Sequence, residues 1–265
     1  MEETPKPTKS LTLSVQKALR ILSSFSIEKP EMSLVEIASE AGLSVSTAHR
    51  LLATLEAEQF IERASDNGQY RLAIKMFELG SIVLHRMELN IVGTPILARL
   101  ATETEDTTYL SVLSGDAVLC IARIEGARHL RSQFLAVGRH LPLHAGAASK
   151  VLLAYLPEPR VRELLERYPL TAYTDKTITN ADDFLSHLET VRAQGYAVSD
   201  EEITKGITAI AAPIMDPAGK VISAISLAGA AGRFGPGNRP FLVDRVKEAA
   251  SQISLRLGYA PALAV

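Results

Sequence analysis

The chain has 265 residues, 47 % of them hydrophobic, and a formal net charge of −2. That length exceeds the ~100–150-residue mode of single domains, which predicts two domains, and no run approaches the ~18 apolar residues of a membrane helix. Residues 1–80 hold nine Lys and Arg against eleven Asp and Glu, again −2, so bulk attraction to nucleic acid is excluded and any DNA contact must rest on local placement.

The opening MEETPKPTKS is polar and acid-bearing, without the apolar core of a signal peptide, which points to the cytoplasm; residues 1–12 read as a disordered tail. SVQKALRILSSF then predicts a helix with Val15, Ala18, Leu19, Leu22 and Phe25 on one stripe. Its Ser14–Lys17 spacing matches a serine acyl-enzyme signature, but no companion motif follows, and it reads as a cap and a solvated lysine. Ser33 with Glu36 forms a capping box that opens a second helix carrying Val35, Ile37, Ala38 and Ala41, ended by Gly42. Ser44 caps a third at about residues 45–57, with Ala48, Leu51, Leu52 and Leu55 on one narrow face.

At about 100° per residue the opposite face of that helix holds Ser46, Arg50 and Ala53, flanked by Thr47, His49 and Thr54. It is small, polar and mostly uncharged where a generic surface helix shows Glu and Lys. Small hydroxyls allow a helix to sit deep in a major groove, and Arg50 can donate two hydrogen bonds to guanine or phosphate. The three helices form a helix-turn-helix, and FIERASDNGQYRL adds two short strands turning at Asn67-Gly68, which makes the motif winged. The candidate DNA-binding residues are Ser44, Ser46, Thr47, His49 and Arg50, with Lys17, Arg20, Arg63, Arg71 and Lys75 placed to reach phosphates. The alternative is a plain three-helix subdomain with a solvated polar face.

IKMFELGSIVLH places Ile74, Phe77, Ser81 and Leu84 along one side, with Ile82 and Val83 beside them, too apolar for a helix alone in water, and predicts pairing with a second copy. TTYLSVLS and AVLCIARIEG read as strands around Ser114-Gly115-Asp116; the lone Cys120 can form neither an internal disulfide nor a thiolate zinc cluster, and reads as packed. His140 and His144 in HLPLH have the spacing of helical metal ligands, but Pro142 between them predicts an extended segment. ASKVLLAYL, PRVRELLERY and DDFLSHLETVRAQG have helical spacing, with Pro159 at a start and Gly195 at an exit. The acids of SDEE, residues 199–202, read as solvated or capping loop groups, and ITAIAAPIMDPAGKVISAISLAG as a hairpin turning at Asp216–Gly219. Strands and helices mix without a regular β-α repeat, which favours an α+β fold. No G-x-S-x-G and no phosphate-binding glycine loop occurs.

Taken together, SVQKALRILSSF, LVEIASEAGLSVSTAHRLLATLE, NGQYRLAIKMFELG, LPLHAGAASKVLLAYLPE, VRAQGYAVSDEEITKGITAIAAPIMDPAGKVISAISLAG and the final ISLRLG resemble the IclR-type bacterial transcriptional regulators over almost the whole chain. The resemblance implies a winged helix-turn-helix at 13–72, a linker helix at 73–90, a GAF-like antiparallel-sheet effector-binding domain at 91–258 and a tail at 259–265. It also implies dimers or dimers of dimers on pseudo-palindromic operator DNA, a small-molecule effector, and no membrane partner, cofactor or metal. By the same resemblance the effector sits at the HAGA loop, His144, Ala145, Gly146 and Ala147, and at Ser199, Ala209, Ser226 and Ala228. The family commonly has an acid, a cysteine and two serines at the last four positions, and only Ser226 is kept. The exchange removes hydrogen-bonding capacity and leaves a roomier, more apolar wall, which predicts an organic acid with a larger apolar body, aromatic acids included, whose carboxylate meets the backbone N–H groups of 145–147. A small-molecule enzyme on the same fold and a sensor acting through protein contacts are the alternative readings.

Overall fold

Helix caps and turns organise both halves of the chain. The computed structural model describes residues 11–64, 68–128 and 136–260, of which 84–86 are described in backbone only. It divides into two units, Met1–Arg86 and Met87–Val265.

The first unit contains α1 (Leu13–Ser24), β1 (Glu31–Met32), α2 (Leu34–Glu40), α3 (Val45–Ala57), β2 (Ile61–Arg63), β3 (Tyr70–Leu72) and α4 (Ile74–Arg86). Both halves of the Ser33–Glu36 capping box form, and the Ser44 side chain accepts from the Thr47 N–H. Gly42, at φ 64°, takes the left-handed conformation that lets the chain leave α2. The core joins Ile21, Met32, Ile37, Ala41, Leu52, Leu55, Ile61 and Tyr70. Three expectations are corrected. Val15 and Leu19 are exposed, because α1 turns the overlapping stripe Ala18, Ile21, Leu22 and Phe25 to the core. Ser14 lies inside α1, whose N-cap is Thr12. Val35, on the outer side of α2, is exposed as well. The wing strands pair antiparallel, and β1 adds a third strand on the far side of β3, giving the order β1-β3-β2. At the expected turn Gly68 has φ 71°, while Asn67 lies outside the described residues.

The second unit opens with α5 (Glu88–Thr104), a helix absent from the sequence reading. Met87, extended at φ −78° and ψ 96°, separates it from α4 within the stretch read as one linker. There follow β4 (Thr107–Ser114), β5 (Ala117–Ile124), β6 (His140–Leu141), α6 (Ala147–Ala154), α7 (Glu158–Arg167), α8 (Ala181–Gln194), β7 (Ala197–Asp200), β8 (Ile207–Met215), β9 (Val221–Ala230) and α9 (Arg239–Arg256). The six strands form one antiparallel sheet in the order β6-β5-β4-β9-β8-β7. Alternation along the strands divides its faces. Leu110, Ile210, Ile225 and Leu227 pack with α5 and α9, while Val118, Ala197, Ala211 and Ala224 pack with α6, α7 and α8. The sheet is therefore buried on both faces, and whatever opening remains must lie where small residues leave a gap.

Candidate functional site

Two surfaces bring the sequence candidates together. On the first unit, Ser44, Ser46, His49 and Arg50 are exposed along the start of α3, with Thr47 half-buried beside them. Ser14 and Lys17 of α1 and Thr47, Arg50 and Thr54 of α3 line one open groove. Lys17, Arg20 and Arg50 pair with no acid among the described residues. The wing cations are dressed differently: Arg63 stands 3.3 Å from Glu56 and over the Tyr70 ring, and Arg71 stands 2.7 Å from Glu62 and 3.5 Å from Glu31. Lys75 donates to the Glu58 carbonyl at 2.8 Å and covers the Phe60 ring, tying the end of α3 to the start of α4.

On the second unit, register sets the pocket. Ser199 lies opposite Ala209, Ala209 opposite Ala228, and Ala228 opposite Thr107, one row across β7, β8, β9 and β4. Ser226 lies in the neighbouring row opposite Tyr109. The start of α6 closes over these rows. Gly146, Ala147, Ser199, Ala209, Ser226 and Ala228 line a small pocket. Leu141, Ala148, Ile203, Thr204 and Ile207 complete its wall. The aperture follows from the small side chains: four alanines and a glycine stand where larger groups would meet.

His144 and Ala145 are buried but do not line this pocket. The His144 Nε2 lies 2.9 Å from the Thr171 carbonyl oxygen and its ring stacks on Tyr173, which holds the 171–174 segment against the loop before α6. Gly146 has φ 92°, and a Cβ there would stand 2.9 Å from Ile203 Cδ1, so a side chain would strain the backbone and crowd the pocket together. Of the backbone N–H groups expected to meet a carboxylate, that of Gly146 already donates to Glu202 Oε2 at 3.3 Å.

Sequence reasoning missed two groups of residues. Tyr109 and Cys120 pack against Ala209 and Ala228, where burial pushes the phenol up to about 12 and the thiol up to about 11. Lys150, on α6, is fully buried against Glu202, and burial pushes its ammonium down while Glu202 opposes the shift. Glu202 is thus no solvated loop acid. A lysine among the apolar residues of AASKVLLA was the visible signal. Among the described residues no group of three His, Cys, Asp or Glu could hold a metal ion, and no helix is long and apolar enough to cross a membrane.

A winged helix-turn-helix followed by a sheet-based unit with a small pocket under α6 is the arrangement of a DNA-binding transcriptional regulator. Residues 14–65 match the IclR helix-turn-helix domain and residues 81–255 the bacterial transcriptional regulator IclR C-terminal family, and the chain belongs to the IclR family of transcriptional regulators. It is 34 % identical over 246 residues, 93 % of this chain and 97 % of its relative, to the HTH-type transcriptional regulator XynR of Escherichia coli K12. The crystal structure of the Thermotoga maritima IclR matches with a TM-score of 0.72 at 31 % identity, covering 93 % of this chain and 99 % of that one. An IclR homologue from Microbacterium hydrocarbonoxydans complexed with 4-hydroxybenzoate matches with a TM-score of 0.81 at 28 % identity, covering 92 % of this chain and 98 % of that one.

Proposed function

We propose that this regulator controls a metabolic or catabolic operon from the cytoplasm, that its effector is a small organic acid with an apolar, aromatic-sized body, and that it is not an enzyme. The observation that carries the reading is the character of the pocket wall, apolar at Ala209, Ala228, Ile203, Ile207 and Leu141, with Ser199, Ser226 and Thr204 as its hydroxyls. The 4-hydroxybenzoate held by the homologue from Microbacterium hydrocarbonoxydans supports the same class of ligand. In this reading α3 enters the major groove, Arg50, Ser46 and His49 face bases or phosphates, and Lys17, Arg20, Arg63 and Arg71 reach the backbone. Lys75 acts through its hold on the end of α3. Two copies pair through α4, which sets two recognition helices on a pseudo-palindromic operator.

The test has two arms. A gel shift with DNA from upstream of the protein's own gene should give a complex whose affinity changes on adding an aromatic acid. A thermal-shift screen of aliphatic keto acids against aromatic acids should show stabilisation by the aromatic class, abolished by Ala209→Leu, which fills the pocket from the sheet side. Selective stabilisation by glyoxylate or pyruvate would overturn the effector class, and absence of any DNA complex would overturn the regulator reading.

A further inference from the structure

This inference rests on the pocket being an acid-binding site. All eight residues of α6 are buried, and seven of them are Ala, Ser, Val or Leu; the eighth is Lys150. Its ammonium donates to the Val198 carbonyl at 2.5 Å and to Glu202, itself 7 % exposed. The second Glu202 oxygen accepts from the Gly146 N–H at the mouth of the same helix. The segment carrying Glu202 is pinned. Thr177 Oγ1 donates to the Glu202 carbonyl at 2.7 Å and Thr174 Oγ1 to the Glu201 carbonyl at 2.8 Å. Glu201 has φ 60°, seldom adopted by a side-chain-bearing residue, and its carboxylate accepts from the Gly206 N–H at 2.6 Å and from Lys176 at 2.7 Å. Ile203, the next residue after Glu202, lines the pocket beside Gly146.

The protein thus places a carboxylate of its own on a donor that an acid effector needs. A second carboxylate beside it in a buried site meets like-charge repulsion, so both cannot hold Gly146 at once. A buried ion pair exchanged as a whole for apolar residues of similar volume often leaves stability unchanged, whereas removing one partner strands a buried charge. We propose that Glu202 is a resident carboxylate that an acid effector displaces from Gly146, and that Lys150 is the buried cation that receives the incoming charge, so that these two residues set the pocket's preference for acids over neutral isosteres. The main chain at 201–202 stays held by Thr174 and Thr177 while the Glu202 side chain turns away.

Calorimetry on the full chain, with 4-hydroxybenzoate and 4-hydroxybenzamide as probes, tests this in the wild type, Glu202→Gln, Lys150→Met and the double variant Lys150→Met with Glu202→Leu. Lys150 and Gly146 are held by different oxygens of Glu202, and Gln turns one of them into an NH2 that accepts no hydrogen bond, so Glu202→Gln should tighten the acid about tenfold and move the amide by less than about threefold. Lys150→Met should weaken the acid about tenfold and spare the amide. The double variant should bind the two compounds alike. An acid-to-amide ratio unchanged in the single variants overturns the proposal and leaves the acid-effector reading standing. Should a single variant fail to fold, a double variant that still prefers the acid overturns it. Binding of neither compound to any of the four proteins overturns the acid-effector reading and this proposal with it.

Discussion

Arg50 is the side chain of α3 on which base reading turns in the proposed DNA complex. It is exposed on α3, lines the α1–α3 groove, and pairs with no acid among the described residues. If it reads a base, Arg50→Ala should weaken specific operator binding by about 1–3 kcal/mol. Its circular dichroism should match the wild type, since the side chain supports no part of the core. A second prediction concerns His187, whose buried Nε2 in α8 has no hydrogen-bond partner among the described residues and whose pKa is lowered from 6.5 by burial and then by Lys150. A histidine held neutral in the fold binds its proton more readily when unfolded, so its contribution is full above pH 6.5 and is lost as pH falls below it. Denaturant unfolding at pH 5 and pH 7.5 should show a smaller loss on acidification in His187→Phe than in the wild type. The residues that sequence reasoning placed well, Ser33, Glu36, Gly42 and Ser44, act on backbone groups within four positions, and such chemistry is local. Glu202 and Lys150 escaped it because they meet 52 positions apart across a sheet edge, a distance at which a loop acid and a lysine look like any others.

At the scale of elements, α4 makes the sharpest claim. Ile74, Phe77, Ile82 and Val83 are each more than half exposed on it, 70 %, 69 %, 58 % and 60 %, while the side chain of Leu84 lies outside the described residues. Such a surface on a helix calls for a partner. The double variant Phe77→Glu with Ile82→Glu should shift the chain to monomer in light scattering and weaken operator binding without melting either unit. Periodicity found α4 because its apolar residues recur at helical spacing. It missed α5 because Pro95 sits inside that helix and its N-cap, Met87, makes no side-chain hydrogen bond, so neither a start signal nor an uninterrupted pattern marks it. The overlapping stripes of α1 show another limit. Val15 and Leu19 stand four positions apart just as Ile21 and Phe25 do, and only packing against α3 decides which pair is covered.

At the scale of the whole molecule, the two units have separate cores, one centred on Ile37, Leu52 and Tyr70, the other on the two faces of the six-stranded sheet. A fragment starting at Met87 should therefore fold, bind the effector with the affinity of the intact chain, and fail to shift operator DNA; calorimetry and a gel shift on the fragment check both halves of that statement. The net charge of −2 also takes on meaning here. Among the described residues Lys17, Arg20 and Arg50 face no acid, whereas Arg63 and Arg71 stand against Glu56, Glu62 and Glu31. Each phosphate that a bare cation neutralises sheds about 0.9 of a counterion into solution. An arginine that must first let go of a carboxylate leaves behind a group that draws a cation back. Measured as log affinity against log salt, Lys17→Ala should flatten the slope more than Arg71→Ala, even where the two cost similar affinity. The acids of the wing thus work as an internal ion reservoir, and operator occupancy should drift less, as the salt content of the surroundings rises and falls, than the number of basic residues at the DNA face would suggest.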